Sequence, residues 1–505
     1  MRTPLLFLTL VAMLVAACSG SSGSSPGSVP APPDHHRSTP APWRPAAPTP
    51  YDGVTYQDPG VNPAVDPDED RVSTFALDVD TASYTIAQRY VGDGFRPDPD
   101  SVRVEEWVNA FDQGYRRPAE GTFAIVADGG PTPFTERDEL LLRVGLQARD
   151  VRAGARATAA LTFVIDTSGS MERDGRLELV KDALRLLVDG LGSHDTVALV
   201  TFGDDARVVL GPTSADERDA IEAAIAELRP GGSTNLEAGL RLGYGLARET
   251  LTENGIDRVV LASDGVANIG LTDPQSILAT IRADAAAGIE LVSIGVGMGN
   301  YNDVLLEQLA DQGDGFYAYV NGLDEARRLF TEDLTGTLQT VALDARAQVE
   351  FEPDSVASYR LLGYENRAVA DDDFTDDAVD AGAIGAGHAV TALYALRLRE
   401  DVGRQDRLAT VRVRWVDPER GSTEEIVRDV RANDLARSFG DADPHFRLDA
   451  AVAATADILR GGPSAERLRL TDVAAEIDDG VGRLPDTDDA RAFRDLVDRL
   501  ARMER

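Results

Sequence analysis

Cysteine and lysine are almost absent from this sequence, which holds one of each, Cys18 and Lys181, in 505 residues. A single cysteine excludes disulfide bonds within the chain and zinc sites built on several thiolates. The five histidines show none of the close spacings typical of metal-binding histidine motifs. No glycine-rich loop precedes Lys181, so the sequence contains no Walker A phosphate-binding loop.

Basic residues of any kind are scarce beside acidic ones. The chain carries 50 Lys and Arg residues against 86 Asp and Glu residues, which gives a formal net charge of −36. Binding to nucleic acid phosphates needs basic patches, so we expect no nucleic-acid partner. An acidic surface favours solubility and attracts divalent cations, but it does not by itself specify a partner.

The first 17 residues combine a basic start with an apolar run from Leu5 to Val15. This pattern predicts a secretory signal peptide that is too short to remain as a transmembrane helix. Residues 15–18, VAAC, resemble a bacterial lipobox, which implies cleavage before Cys18 and lipid on its sulfur and new amino end. An ordinary signal peptide that ends near a cysteine is the alternative.

Residues 18–70 are dense in Ser, Gly and Pro and hold too few apolar side chains to offset the entropy lost on ordering. We expect a disordered tether between the lipidated Cys18 and the folded part of the chain. The predicted location is therefore the cell membrane, with the protein lipid-anchored on the extracytoplasmic side.

The stretch LTFVIDTSGSM, residues 161–171, pairs a short apolar run with three oxygen-bearing side chains. The run has the length and β-branched content of a buried parallel strand, and Asp166, Ser168 and Ser170 follow it. Carboxylate and hydroxyl oxygens are ligands that Mg²⁺ accepts. Taken alone, the same residues could serve as turn and helix N-cap residues.

Two further loops supply matching side chains. Thr234 lies between a Gly-Gly turn and a predicted helix, and Asp264 follows the apolar run 259–262. Strands and helices alternate through this region, with a strand at Thr196–Phe202, an antiparallel edge strand at Ala206–Leu210 after the Asp-Asp turn and a helix near Asp273. This alternation predicts an α/β domain with a doubly wound, mostly parallel sheet. Ligands bind at the carboxyl ends of such strands. The predicted metal ligands are Asp166, Ser168, Ser170, Thr234 and Asp264, with Mg²⁺ as the ion and Mn²⁺ or Ca²⁺ as alternatives.

The remaining segments differ from the α/β region in their pattern of apolar residues. We divide the folded part into an N-terminal α+β segment (71–157), the α/β domain (158–338), a β-rich domain (339–432) and a helical C-terminal segment (433–505). Helical patterns at 445–459 and 488–503 predict two helices in the last segment. Strands at 120–150 and 340–430 are predicted to form one β-sandwich into which the α/β domain is inserted, because the termini of an inserted domain lie close together.

The N-terminal segment contains expected elements and one unassigned pair of carboxylates. We predict a strand at Phe75–Val79, a helix that starts near Thr81 and an amphipathic helix over 101–115. Asp78 and Asp80 faintly resemble the phosphatase motif of haloacid dehalogenases, although Thr81 follows too early for that motif. Two carboxylates at a strand end or helix cap are the alternative.

Residues 158–338 resemble a von Willebrand factor type A domain with an intact metal-ion-dependent adhesion site. The resemblance implies that Ser168, Ser170 and Thr234 bind metal through hydroxyls, and that Asp166 and Asp264 act directly or through water. Residues 70–505 resemble the bacterial YfbK-like von Willebrand A proteins, on segments such as STFALDVDTASYTIA, GGSTN and YRLLGYENR.

The resulting expectation is a surface lipoprotein that binds a protein or peptide through the metal, with an acidic side chain of the partner completing the coordination shell. No histidine lies near the three loops in sequence, and the serines are assigned to the metal. The chain is therefore predicted not to be an enzyme. A scaffold or assembly factor for envelope complexes, or a metal-dependent hydrolase, is the alternative.

Overall fold

A computed structural model gives the fold of the chain and describes residues 51, 54, 56–151, 156–252, 255–265, 282, 288–297, 303–332, 338–376, 381–478 and 484–504. The predicted signal peptide, Cys18 and most of the tether lie outside these residues. So does the helix that the sequence predicts near Asp273.

The apolar runs of the sequence form the strands, and the segments of helical period form the helices. The strands are β1 Val72–Ala76, β2 Phe123–Pro131, β3 Glu139–Ala148, β4 Ala159–Asp166, β5 Thr196–Phe202, β6 Ala206–Ser214, β7 Ile256–Ser263, β8 Ile289–Val296, β9 Tyr317–Val320, β10 Thr340–Phe351, β11 Val356–Leu362, β12 Ala383–Gly385, β13 Ala389–Leu398, β14 Arg407–Val416 and β15 Thr423–Arg431. The α-helices are α1 Ala82–Gly92, α2 Val104–Asn109, α3 Arg176–Gly190, α4 Arg218–Glu227, α5 Leu236–Glu249, α6 Asp303–Asp311, α7 Leu323–Arg327, α8 Pro444–Arg460, α9 Leu470–Asp478 and α10 Asp488–Met503.

Six strands build the α/β domain in the order β6-β5-β4-β7-β8-β9. All neighbouring pairs are parallel except β5 and β6, which run antiparallel as the sequence predicts for an edge strand after the turn at residue 204. Every residue of β4 is buried, because helices cover both faces of the sheet. Helix α3 packs on one face through Leu177 and Leu184, and α5 packs on the other through Leu236 and Leu240. The predicted α/β fold class is confirmed.

Helix α1 belongs to the N-terminal segment but packs on the sheet of the α/β domain. Its Ala82, Ile86 and Tyr90 share a hydrophobic core with Val164 of β4 and Tyr317 of β9. The N-terminal segment therefore contributes a covering helix to a sheet that begins some 70 residues later in the chain.

Strands from before and after the α/β domain form one β-sandwich. One sheet has the order β11-β13-β3-β2, so β3 from the N-terminal side pairs antiparallel with β13 from the C-terminal side. The facing sheet has the order β1-β10-β14-β15, with β12 beside β10. Phe123 of β2 and Trp415 of β14 meet edge to face across the core, 5.0 Å between ring centroids. The prediction that 120–150 and 340–430 share a sandwich is confirmed.

The C-terminal helices cover the outer face of the first sheet. Phe446 of α8 and Phe493 of α10 share a core with Trp107 of α2 and with Leu141 and Leu393 of the sheet. The predicted helices 445–459 and 488–503 correspond to α8 and α10. In the described part of the chain, no helix combines the length and the apolarity that a bilayer span requires.

Two local predictions differ from the structure. The strand expected at Phe75–Val79 runs from Val72 to Ala76. Beyond it the N–H of Leu77 still donates to the carbonyl of Ala345 at 2.9 Å, and the side chains of Leu77 and Val79 are buried in the sandwich core. The helix expected over 101–115 is confined to α2, because the Gln113 side chain donates to the carbonyls of Val108 and Phe111, where helical N–H groups would otherwise bond. Helix α9 was not predicted.

Candidate metal centre

Asp166 ends β4, the strand that lies between β5 and β7 at the centre of the sheet. Its side chain is fully buried. Both carboxylate oxygens accept a hydrogen bond: Oδ1 from the backbone N–H of Ser168 at 2.8 Å, and Oδ2 from the hydroxyl of Ser263 at 2.7 Å. These two bonds fix the carboxylate at the carboxyl edge of the sheet.

Ser168 and Ser170 bring two hydroxyls together in the loop after β4. Their Oγ atoms lie 2.9 Å apart. A 3₁₀ turn, Gly169–Gly175, follows Ser168 and turns the chain toward α3. The N–H of Gly169 donates to the carbonyl of Gly232 at 3.0 Å, which ties this loop to the loop that carries Thr234.

Thr234 lies in the loop before α5 and is buried. The N–H of Gly231 donates to the carbonyl of Thr167 at 2.7 Å, so two backbone bonds hold this loop against the first one. Asn235 caps α5 by accepting from the N–H of Ala238 at 3.1 Å, which fixes the point where the loop ends and the helix begins.

Asp264 follows β7 and supplies the second carboxylate. Its Oδ2 accepts a hydrogen bond from Arg176, and the nearby Ser170 hydroxyl acts to lower its pKa. The Arg176 contact is close, with 2.6 Å between Nη1 and Oδ2, and both side chains are buried. Asp264 therefore joins the third loop to the start of α3, which follows the first loop.

The structure thus places the five predicted residues on three loops that contact one another at one edge of the sheet. Sequence reasoning missed two of their neighbours, Ser263 and Arg176. Ser263 immediately precedes Asp264, and that adjacency was an available signal. The pairing of Arg176 with a carboxylate 88 residues away has no local signature in the sequence.

The two carboxylates share a buried environment that disfavours negative charge. Burial and the neighbouring Asp264 raise the pKa of Asp166 from 3.8 to about 6. Burial also raises the pKa of Asp264, although the bonds from Ser170 and Arg176 oppose that change. A cation bound between the two groups would relieve the cost of burying both charges.

The chemistry of the donor set fits a hard divalent cation. Two carboxylates and three hydroxyls offer only oxygen, the ligand that Mg²⁺, Mn²⁺ and Ca²⁺ prefer. Within the described residues, no group of three or more His, Cys, Asp or Glu side chains is arranged to hold a metal. A site at this edge would therefore depend on hydroxyls as much as on carboxylates.

Asp80, whose role the sequence left open, lies away from this edge in a buried group of ion pairs. Its Oδ2 accepts from Arg367 at 2.9 Å and its Oδ1 from the N–H of Tyr317 at 3.1 Å. Asp78 is also buried, and burial together with the charge of Asp80 raises its pKa.

Three segments of the chain match profiles of known protein families. A profile described as "von Willebrand factor" matches residues 51–142, and one described as "von Willebrand factor type A domain" matches 161–266. A third, "Uncharacterized protein YfbK, C-terminal", matches 336–503. Domains of the von Willebrand A type suggest a role in protein interaction or adhesion.

Individual relatives extend this result over most of the chain. The uncharacterized protein YfbK of Escherichia coli K12 is 37% identical over 431 residues, which cover 80% of this chain and 74% of that protein. The uncharacterized protein sll0103 of Synechocystis is 26% identical over 289 residues, 56% of this chain and 67% of that one. A solved von Willebrand factor type A structure from Catenulispora acidiphila has 17% identity and a TM-score of 0.43, and the match covers 69% of this chain and 81% of that one. On the identity and coverage it shares with the Escherichia coli protein, this chain belongs to the YfbK family of von Willebrand A proteins.

Proposed function

We propose that this protein binds a protein or peptide partner through a divalent cation held by Asp166, Ser168, Ser170, Thr234 and Asp264. The observation that carries the proposal is the pair of buried carboxylates at the carboxyl edge of a parallel sheet: Asp166, which accepts from the N–H of Ser168, and Asp264, which lies beside the Ser170 hydroxyl. A bound divalent ion supplies an electrophilic position at which an oxygen of the partner completes the coordination shell.

The residues around the ion determine what kind of partner group fits. Three of the five ligands are neutral hydroxyls, so the ion would keep much of its charge and attract an anionic oxygen. A carboxylate of an Asp or Glu side chain on the partner supplies such an oxygen. We therefore propose an acidic side chain as the group that the site recognises.

We propose binding, and not catalysis, as the role of the site. A hydrolase needs a general base beside its metal. Both oxygens of Asp166 accept hydrogen bonds, and Oδ2 of Asp264 accepts one from Arg176, so we propose that neither carboxylate serves as this base. A scaffold role in envelope complexes would use the same site with a different partner.

The proposal includes attachment to the membrane through lipid on Cys18. The only cysteine of the chain follows the apolar run and stands at the end of VAAC. The Ser-, Gly- and Pro-rich residues 19–50 would then separate the binding site from the membrane surface. The edge of the sheet that carries the proposed metal ligands would then be accessible to partners outside the cytoplasm.

An array of synthetic peptides tests the proposed function directly. Peptides that contain Asp or Glu are compared with matched peptides in which these residues are Asn or Gln, in Mg²⁺ and in EDTA. We expect binding to acidic peptides in Mg²⁺ alone, and its loss in the Asp166→Ala variant. Binding that persists in EDTA, or that is equal for the amide peptides, would contradict the proposal. Hydrolysis of any peptide in Mg²⁺ would favour the enzyme alternative.

A further inference from the structure

Arg176 is a buried cation inside the candidate metal centre. It is the first residue of α3, its side chain is 3% exposed, and its Nη1 lies 2.6 Å from Oδ2 of Asp264. A buried positive charge therefore lies against a proposed metal ligand. Its position next to the ion-binding residues calls for a functional explanation.

The surrounding backbone leaves room for this guanidinium. Gly297, just beyond β8, has φ of +73°, and a Cβ built there would lie 2.1 Å from Nε of Arg176. Any larger residue at 297 would therefore displace the arginine side chain. The N-cap of α3, Gly175, has φ of +71°, a conformation that glycine adopts without steric cost and that directs the chain into the helix at Arg176.

The charges at the site show what Arg176 would change. Asp166 and Asp264 carry two negative charges when ionised, and Arg176 offsets one of them. With a divalent ion bound, these three side chains and the ion carry one net positive charge, and without Arg176 the remaining charges would cancel. The charge of the exposed Arg173 also acts on Asp264. The arginine thus opposes the arriving ion and favours an arriving anion.

We infer that Arg176 is a resident counter-ion of this centre, which neutralises Asp264 in the metal-free protein, lowers the affinity for the divalent ion and keeps the loaded site positive for an acidic partner group. This inference rests on the proposed function, since it assigns a role at the same site. Metal binding would then be readily reversible, because the ion must compete with the positive charge of Arg176 for Asp264.

This role is tested by titrating Mg²⁺ alone into the metal-stripped protein in a calorimeter, at fixed pH and ionic strength. Arg176→Gln keeps hydrogen-bond donors but removes the charge, and we expect it to tighten Mg²⁺ binding by about tenfold. Gly297→Ala displaces the guanidinium and leaves the charge in the chain, and we expect a smaller tightening of about threefold. The matched control is Arg185→Gln, on the same helix, where the arginine pairs with Asp182 and Glu222 near the surface. It should bind Mg²⁺ like the wild type.

The outcomes separate this inference from the proposed function. If the wild type binds Mg²⁺ and Arg176→Gln binds it equally or more weakly, Arg176 only positions Asp264 and the inference fails alone. If Arg176→Gln does not fold, Gly297→Ala decides, and unchanged or weaker binding there overturns the inference. If the wild type does not bind Mg²⁺, the proposed function fails and this inference fails with it.

Discussion

Arg367, in the loop after β11 of the sandwich, donates to Asp80 at the start of α1 across a distance of 2.9 Å, and both side chains are buried. Glu307 of α6 lies 3.5 Å from the same guanidinium and 3.3 Å from Arg103. This group of ion pairs joins the sandwich to the α/β domain, since Arg367 comes from one and Glu307 from the other.

Removal of Arg367 should therefore destabilise the whole folded body. Arg367→Gln leaves the carboxylates of Asp80 and Glu307 buried with less compensation, and we expect a loss of about 3–5 kcal/mol in the free energy of unfolding. Arg399→Gln is the control, because Arg399 pairs with Asp68 at the surface and should contribute at most about 1 kcal/mol. Urea denaturation measures both, and equal losses would show that the buried pairs do not join the two parts.

The stability of the metal-free protein should depend on pH through Asp166. Its folded-state pKa of about 6 exceeds the ordinary value of 3.8, so the folded chain binds a proton more tightly than the unfolded chain does. The stability contributed by that proton is full below about pH 4 and is lost as the pH rises through about 6. Above pH 6 the ionised carboxylate is a net cost to the fold.

Asp166→Asn removes this cost without changing the size of the side chain. In EDTA at pH 7 we expect the variant to be more stable than the wild type by about 2 kcal/mol, with the advantage lost near pH 4. Denaturant unfolding at the two pH values measures the difference. A variant that is less stable than the wild type at pH 7 would show that the aspartate is a structural residue and not a strained ligand.

The Thr234→Ala variant should affect partner binding more strongly than metal binding. Thr234→Ala removes one neutral ligand from a loop that backbone bonds from Gly169 and Gly231 hold in place. We expect Mg²⁺ affinity to fall less than in Asp166→Ala, while binding of acidic peptides falls more steeply. Thr213→Ala, at the end of edge strand β6, is the surface control. Full retention of peptide binding in Thr234→Ala would remove Thr234 from the proposed site.

Lipid attachment is tested by the Cys18→Ala variant. One thioether-linked diacylglycerol and an N-acyl chain bury enough CH₂ groups for stable membrane attachment. We expect the wild type in the membrane fraction and Cys18→Ala in the soluble fraction or the medium. Identical fractionation of the two proteins would contradict lipid anchoring.

Buried parallel strands were the part of the fold that the sequence revealed most fully. The predicted strand Thr196–Phe202 coincides with β5, because a strand covered on both faces is a continuous apolar run between polar loops. The end of β1 could not be read in this way, since Leu77 and Val79 are as buried as the paired residues before them. The pattern of apolar residues indicates which side chains are buried, but it does not show where the pairing of a strand ends.

The same limit applies to the candidate site. Each predicted ligand follows an apolar strand or a glycine turn, so local sequence marks it. Arg176 opens a helix, where a basic residue would ordinarily face water, and only the fold brings it to Asp264. The sharing of one core by α1 and the α/β sheet was equally unpredictable, since β4 begins long after α1 has ended.

Binding of a divalent cation at the candidate metal centre is tested most directly by a calorimetric titration of Mg²⁺ into the wild type and into Asp166→Ala. Asp182→Ala, which removes an exposed carboxylate on α3, is the control for a general loss of negative charge. We expect the wild type and Asp182→Ala each to bind one ion per chain. We expect Asp166→Ala to bind the ion at least about tenfold more weakly, with no large loss in the stability of the metal-free protein. If wild type and Asp166→Ala titrate alike, the three loops carry only turn residues and the metal-dependent account is wrong.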